Sequence, residues 1–408
     1  MNILDIITKK KNKEELNYEE LKYAFNGYLN KEIPDYQMSA LLMAIVINGM
    51  NIEETYNLTK IFIDSGDTFT FAEKVCDKHS TGGIGDTVTL VTVPILGALN
   101  IPIVKMSGKG LGITGGTIDK LESIPGYNVN LTKEEYIRYA KETKMVVGCQ
   151  TSDLVPLDKI IYQLRDVTGT TESISLIASS IMSKKIACGA VNILIDIKCG
   201  EGALIKTKED ALELSNYLTE IGKRFNRNVK TIITDMDTPL SNCVGNSLEV
   251  LEAIEVLKGK KTNLTKISLE VASNLVMMHE NISFEEAYQK CEEVLNNNKA
   301  YNAFEKWIKN QNGDISKIKV SDKKIYIKSK SDGVITKISA LKIGKLSLKL
   351  GAGRLNKESI IDYTVGIKLH KNILDQVKKG DILATLYVND FNLNLTKEDL
   401  DIFKIRNN

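Results

Sequence analysis

Apolar positions recur at helical spacing along the first part of the chain, so residues 1 to about 66 read as helices. Asn17-Tyr-Glu-Glu predicts a helix start, with Asn17 as cap and Glu20 three residues on. Pro34-Asp-Tyr-Gln opens a second helix through the apolar run Met38 to Ile47. Asn51-Ile-Glu-Glu opens a third, ending near Ser65-Gly66. The texture then changes. Short apolar pieces at Ile103 to Met106, Met145 to Val147, Val191 to Ile197 and Thr231 to Thr234 alternate with helical stretches. That alternation predicts a parallel sheet of βαβ units. Between two of these strands, Pro156 to Cys188 is long, apolar and helical, and returns the chain to the first helical part. Glu249 to Leu295 reads as helical again. From about Ile318 the period becomes that of short strands, as in Lys323 to Ile327 and Gly333 to Ile338, with turns at Gly351 to Gly353 and at Lys379-Gly-Asp.

Composition narrows the picture. A chain of 408 residues is too long for one ordinary core and implies two or three domains. A net charge of +2 argues against a general nucleic-acid binder. The six cysteines form no CxxC pair and there are only three histidines, which argues against a zinc ribbon or a His-rich metal site. Scattered cysteines fit a reducing compartment, so the expected location is cytoplasmic. The basic run Lys9 to Lys11 follows the first apolar residues, the wrong order for a signal peptide. The longest apolar stretch, around Thr87 to Val104, is broken by Thr, Pro, Gly and Asn, so no membrane span is expected.

Three segments carry candidate chemistry. In Asp77-Lys-His-Ser-Thr-Gly-Gly-Ile-Gly-Asp86, glycines let backbone N–H groups close on an anion, Lys78 adds a point charge, and Ser80 and Thr81 add hydroxyls. A helix opening at Asp86 to Leu90 would aim its N-terminus at the same anion. Two readings stay open here, a phosphate cradle and a glycine-rich structural turn. The second segment runs from Lys105 to Glu122, with Ser107, Thr114 and Thr117 set among five glycines. Gly110, Gly112 and Gly115 also fit the dinucleotide pattern GxGxxG, a weak signal alone. The third pairs Tyr162-Gln-Leu-Arg-Asp166 with Ser179-Ser-Ile-Met-Ser-Lys-Lys185. On a helix Ser180 and Lys184 share a face with Ile177 and Ile181, which suits a flat polar heterocycle and equally an ordinary amphipathic helix.

Together these segments resemble the pyrimidine-nucleoside phosphorylases, the family that includes thymidine phosphorylase. The chain reads SGKGLGITGGTIDKLE from Ser107, DKHSTGGIGDT from Asp77, and LRDVT, SLIASSIMSKK, VGNSLEVLEAI, GAGR and VGIKLHK in family order. The resemblance implies an α/β fold class: a small all-helical lobe (1-66 plus 157-187), a larger α/β phosphate-binding lobe with a central mixed sheet (67-156 plus 188-317), and a small C-terminal α+β domain (318-408). It implies phosphorolysis of pyrimidine nucleosides (uridine, thymidine, deoxyuridine), with inorganic phosphate as co-substrate, a homodimer, and no nucleic-acid or membrane partner. The phosphate side would comprise Lys78, His79, Ser80, Thr89, Lys105, Met106, Ser107 and Thr117. The base side would comprise Tyr162, Arg165, Ser180 and Lys184, lined by Leu111, Ile177 and Ile181. His79, Arg165, Ser180 and Lys184 would act in catalysis. A monovalent cation, expected to be potassium, would lie near Gly85, Thr87, Leu240, Cys243 and Glu252, mostly on backbone oxygens.

The chain departs from the family pattern at three places. Lys109 stands where Arg is usual, keeping charge but losing the bidentate fork. Ile113 replaces a polar or aromatic residue, and Leu204 a Phe that would line the base pocket. Lys105-Met-Ser resembles the broad-specificity bacterial enzymes, so broad specificity is expected. Two competing readings are an anthranilate-type phosphoribosyltransferase and a catalytically silent nucleoside-binding protein. The C-terminal domain is similar in outline to biotin-carrier modules but has no Met-Lys-Met attachment turn.

Overall fold

A computed structural model describes residues 1–110, 112–113, 115–354 and 359–407. Leu111, expected on the base side, and Thr114 lie outside the described residues.

The chain opens with α1 (Ile3–Lys11), α2 (Tyr18–Leu29), α3 (Asp35–Asn48) and α4 (Ile52–Asp64). The predicted capping box at Asn17 is present: its Oδ1 accepts the Glu20 N–H at 3.0 Å, and Glu20 Oε2 accepts the Asn17 N–H at 2.8 Å. Asn51 and Glu54 repeat it at the start of α4. Glu54 does a second job. Its Oε1 accepts from Lys10 Nζ at 2.7 Å and from the Leu16 N–H at 2.9 Å. Lys10 and Glu54 are both buried, so this pair ties the end of α1 to the start of α4.

Strands and helices then alternate: β1 (Cys76–Ser80), α5 (Val88–Ala98), β2 (Ile103–Ser107), α6 (Thr117–Glu122), α7 (Lys133–Thr143) and β3 (Met145–Cys149). The expected long helix from Pro156 is two, α8 (Pro156–Thr168) and α9 (Ile174–Ala187), because Gly169 takes a left-handed conformation and Ser173 caps anew. Next come β4 (Asn192–Cys199), α10 (Lys208–Arg224), β5 (Asn228–Asp235) and β6 (Cys243–Val244). The helical stretch from Glu249 is likewise divided into α11 (Asn246–Leu257), α12 (Asn263–Glu280) and α13 (Phe284–Asn296), followed by α14 (Lys299–Asn310). Left-handed Asn281 ends α12.

One sheet has the order β3-β2-β1-β4-β5. The parallel pairing expected of βαβ units is seen for β2 and β3, in register Lys105↔Val147 and Ser107↔Cys149. The C-terminal part adds β7 (Lys324–Lys328), β8 (Gly333–Ile338), α15 (Ala340–Lys349), β9 (Gly366–Leu369), β10 (Gln376–Val377), β11 (Ile382–Tyr387) and β12 (Phe403–Arg406). Here the pairings are antiparallel, as in β11 with β7 and β9, and β12 with β8. Among the described residues no helix is long and apolar enough to cross a membrane.

The chain divides into two compact units. The first comprises Met1–His79, Gln150–Ile195 and Lys208–Thr231, and the second Ser80–Cys149, Asp196–Thr207 and Ile232–Asn408. In the first, α4 packs on both α9 and α2; its Leu58, Ile61 and Phe62 are buried, with the Phe62 ring edge-on to Phe25 of α2 at 5.8 Å. In the second, α5 is the apolar centre. Val88 to Leu96 are buried without a break, and α12 and α14 cover them.

Candidate functional site

In the first unit the expected base-side residues sit on α8 and α9. Burying Leu157, Asp158, Ile161, Leu164 and Arg165 gives α8 one packed face. Arg165 is buried to 2 % exposure, which decides where its donors go. Nε donates to Thr170 O at 3.0 Å, Nη2 to Thr171 O at 2.9 Å and Nη1 to Leu176 O at 3.4 Å. A guanidinium has five N–H donors, so about two remain for another acceptor. Burial pulls the Arg165 pKa down, and the charge of Asp158 opposes that shift.

On α9, Lys184 Nζ donates to Ser180 Oγ at 2.8 Å and to Ser180 O at 3.0 Å. The same ammonium forms an ion pair with Asp158. Ile177 and Ile181 flank this pair and are nearly buried. Tyr162 is half exposed, with the Arg165 guanidinium 5.9 Å from its ring centroid. The structure therefore gathers Arg165, Ser180 and Lys184 around a carboxylate that sequence reasoning missed. Asp158 stands in the first turn of α8, where an acidic residue reads as an ordinary complement to the helix dipole. Nothing in the sequence points it at Lys184.

β1 leads into the first glycine-rich segment. Strand alternation puts Asp77 and His79 on one face, and Lys78 and Ser80 on the other. Asp77 accepts from Lys185 Nζ at 2.7 Å, and both are buried. Lys78 is buried and His79 half-buried.

In the second unit the Ser80 Oγ accepts the Gly82 N–H at 3.2 Å, and Gly82 takes φ +94°. The Thr81 Oγ1 accepts the Lys198 N–H at 2.8 Å. α5 begins at Val88, two residues beyond the expected opening, with Thr87 at its N-cap position, and Asp86 Oδ1 accepts the Val88 N–H at 3.3 Å. Thr89 is buried in its first turn, as are Lys105 and Met106 on β2, while Ser107 at its end is half-exposed. Thr117 is the first residue of α6.

A buried carboxylate joins the two glycine-rich segments. Glu249 Oε2 accepts from Thr87 Oγ1 at 2.7 Å and pairs with Lys120 Nζ at 2.8 Å, while Oε1 accepts the Gly245 N–H at 3.1 Å. Lys120 also donates to Asp86 O at 2.7 Å. Neither residue was legible as part of a site. Lys109, the departure in the second segment, pairs with Glu122 at 2.7 Å near the surface, so its charge is engaged there. Ile113 lies against Gly344, where an added Cβ would come within 3.2 Å of the Ile113 Cβ. Leu204 is 41 % exposed.

The expected cation residues lie together in this unit. Ser241 Oγ sits 2.6 Å from Gly85 O and 2.9 Å from Cys243 O. Leu240 O accepts from Asn263 Nδ2 at 3.0 Å. Glu252 takes the Asn242 and Cys243 N–H groups at 3.0 and 2.6 Å, and burial pushes its carboxyl above the usual range. No cluster of three or more His, Cys, Asp or Glu that could hold a metal occurs among the described residues.

A helical bundle joined to an α/β unit, with two glycine-and-hydroxyl segments on the sheet side, is the architecture of a pentose-transferring enzyme family. Residues 72–301 match the a/b domain of the glycosyl transferase family and residues 4–66 its helical bundle domain. The C-terminal part matches over 334–401 the pyrimidine nucleoside phosphorylase C-terminal domain. Among similar proteins is the pyrimidine-nucleoside phosphorylase of Bacillus subtilis strain 168, 47% identical over 405 residues, covering 96% of this chain and 93% of that one. That of Geobacillus stearothermophilus is 45% identical over 412 residues, covering 98% and 95%. The chain belongs to the pyrimidine-nucleoside phosphorylase family. The anthranilate phosphoribosyltransferase of Thermus thermophilus superposes with a TM-score of 0.63 at 15% identity, over 75% of this chain and 99% of that one. That likeness concerns the fold alone.

Proposed function

We propose that this protein cleaves pyrimidine nucleosides by phosphorolysis, giving free base and (deoxy)ribose 1-phosphate. The observation that carries this reading is the α8–α9 face, where Arg165, Ser180 and Lys184 present two cations and a hydroxyl beside the buried carboxylate of Asp158. In the reaction the C1′–N bond breaks and a phosphate oxygen bonds to C1′. Negative charge develops on the departing base and positive charge on the sugar. Arg165 and Lys184 stabilise that base anion, an effect strongest from charges fixed before the reaction begins. Asp158 and Ser180 fix the direction of the Lys184 ammonium. His79 donates a hydrogen bond or proton to the base, a role suited to imidazole.

Lys78, Ser80, Thr89, Lys105, Met106, Ser107 and Thr117 hold phosphate, which itself steadies the positive sugar. Leu111, Ile177, Ile181 and Tyr162 bound the base. Alignment of the two substrates supplies the entropic part of the acceleration. A monovalent cation, potassium in the first instance, fits the convergence of the Gly85 and Cys243 carbonyls near Ser241, with Thr87, Leu240 and Glu252 around them. Hard carbonyl oxygens are the ligands such an ion takes, and its charge would brace the turn at Gly85.

Incubation with uridine, thymidine or deoxyuridine, with and without phosphate, tests the reaction. Base release is expected only with phosphate. Release without phosphate would make the protein a hydrolase, and no release from any of the three would leave a binding protein.

The proposed assembly is a homodimer. α3 carries Tyr36, Ala40, Met43 and Ile47 on one exposed stripe, with Tyr36 75 % and Ile47 73 % exposed. A helical stripe this apolar fits the same stripe of a second copy. Ile47→Asp is expected to raise the dimer dissociation constant by on the order of tenfold or more. Sedimentation velocity in which the variant dimerises as tightly as wild type would exclude α3 from the interface.

A further inference from the structure

The C-terminal part of the chain grips the second glycine-rich segment through one side chain. Arg354 Nη1 donates to Asp119 Oδ1 at 2.6 Å and to Gly110 O at 3.2 Å. The Arg354 carbonyl accepts the Gly112 N–H at 2.9 Å. Asp119 completes the clasp, since its Oδ2 accepts the Gly110 N–H at 2.6 Å. Both partners are withdrawn from water, with side-chain exposures of 12% for Arg354 and 1% for Asp119.

Close packing leaves this arrangement little slack. A Cβ on Gly116 would come within 2.3 Å of the Gly110 N and 2.6 Å of Asp119 Oδ2. A Cβ on Gly353 would come within 3.0 Å of the Gly112 O. Gly112 itself takes φ +69°, a conformation in which a side chain would be strained. Nearby, the Tyr363 hydroxyl donates to Glu122 Oε2 at 3.1 Å. The backbone at Gly110 and Gly112 is thus set by a residue far along the chain.

We propose that Arg354 is a positioning residue for phosphate binding. It fixes the backbone at Gly110 and Gly112, between Ser107 and Thr117, so the C-terminal domain sets the enzyme's affinity for phosphate without touching it. This inference rests on the reading of that segment as the phosphate side. A planar guanidinium suits the task because one nitrogen faces a carboxylate and a carbonyl at once.

Steady-state kinetics of the full chain test it. Arg354→Met is expected to raise the KM for phosphate on the order of 10- to 100-fold, the scale on which a misplacement of about 1 Å acts. The KM for uridine should rise much less, by less than about threefold, because of the base-side residues only Leu111 belongs to this segment, while Tyr162, Arg165, Ile177, Ser180, Ile181 and Lys184 lie in the other unit. Arg354→Lys, which keeps the charge but not the fork, should fall between wild type and Arg354→Met. Lys349→Met breaks a separate pair within the C-terminal part, Lys349–Asp399, and should leave both KM values unchanged. Equal rises in both KM values in Arg354→Met, or no rise in either, would overturn the inference. Ser107→Ala and Thr117→Ala separate it from the reading beneath it. If they raise the phosphate KM and Arg354→Met does not, only the positioning role fails. If they leave it unmoved, the phosphate assignment falls, and the positioning role with it.

Discussion

Lys184→Ala is expected to lower kcat/KM for uridine by about 10²- to 10³-fold, the loss that follows when one preorganised donor to a developing anion is removed. The ammonium is held by Ser180 and Asp158 before any substrate arrives, so its loss is not made good by a neighbour. The fold survives, because Lys184 is partly exposed and its removal leaves Asp158 beside the charge of Arg165. Circular dichroism should match wild type while base release collapses. A rate within about threefold of wild type would remove Lys184 from the chemistry. Arg165→Ala is not an equivalent probe, since two of its three carbonyl partners, those of Thr170 and Leu176, are buried and the change also costs stability.

Lys185→Met acts on stability instead. Lys185 pairs with Asp77 in the interior, and Asp77 Oδ1 has no hydrogen-bond partner among the described residues. Deleting the cation strands a buried carboxylate, at a cost of about 3 to 5 kcal/mol. Adding Asp77→Leu removes the stranded charge and should recover most of that loss, since an apolar pair often replaces a buried ion pair at little net cost. Urea midpoints of the helical circular dichroism signal for both single variants and the double variant measure the coupling. A single-variant loss below about 1 kcal/mol would mean water reaches Asp77 and the pair is not dry.

These two neighbours mark the boundary of what sequence could say. Successive helical residues point about 100° apart, so Lys184 and Lys185 necessarily face different surroundings. Only the folded chain shows that one meets Asp158 and the other Asp77. Local rules did well where the determinant is local. The capping box at Asn17, the helix start at Asn51 and the βαβ alternation each depend on residues a few positions apart. The helix breaks at Gly169 and Asn281 were local too, but an apolar pattern running across them hid the left-handed caps. The partners of Glu249, Asp158 and Arg354 were invisible for another reason. Each meets its partner across a long stretch of chain, and no spacing rule reaches that far.

The packing of α4 on α9 governs how the protein is made. During synthesis α4 and the side of it that α9 covers emerge well before α9 itself. At ordinary elongation rates that interval is on the order of ten seconds. Throughout it the nascent chain carries an uncovered greasy surface, a natural client for a holding chaperone. The N-terminal bundle is therefore a poor candidate for expression as a separate piece. It completes its core only when α9 has left the ribosome.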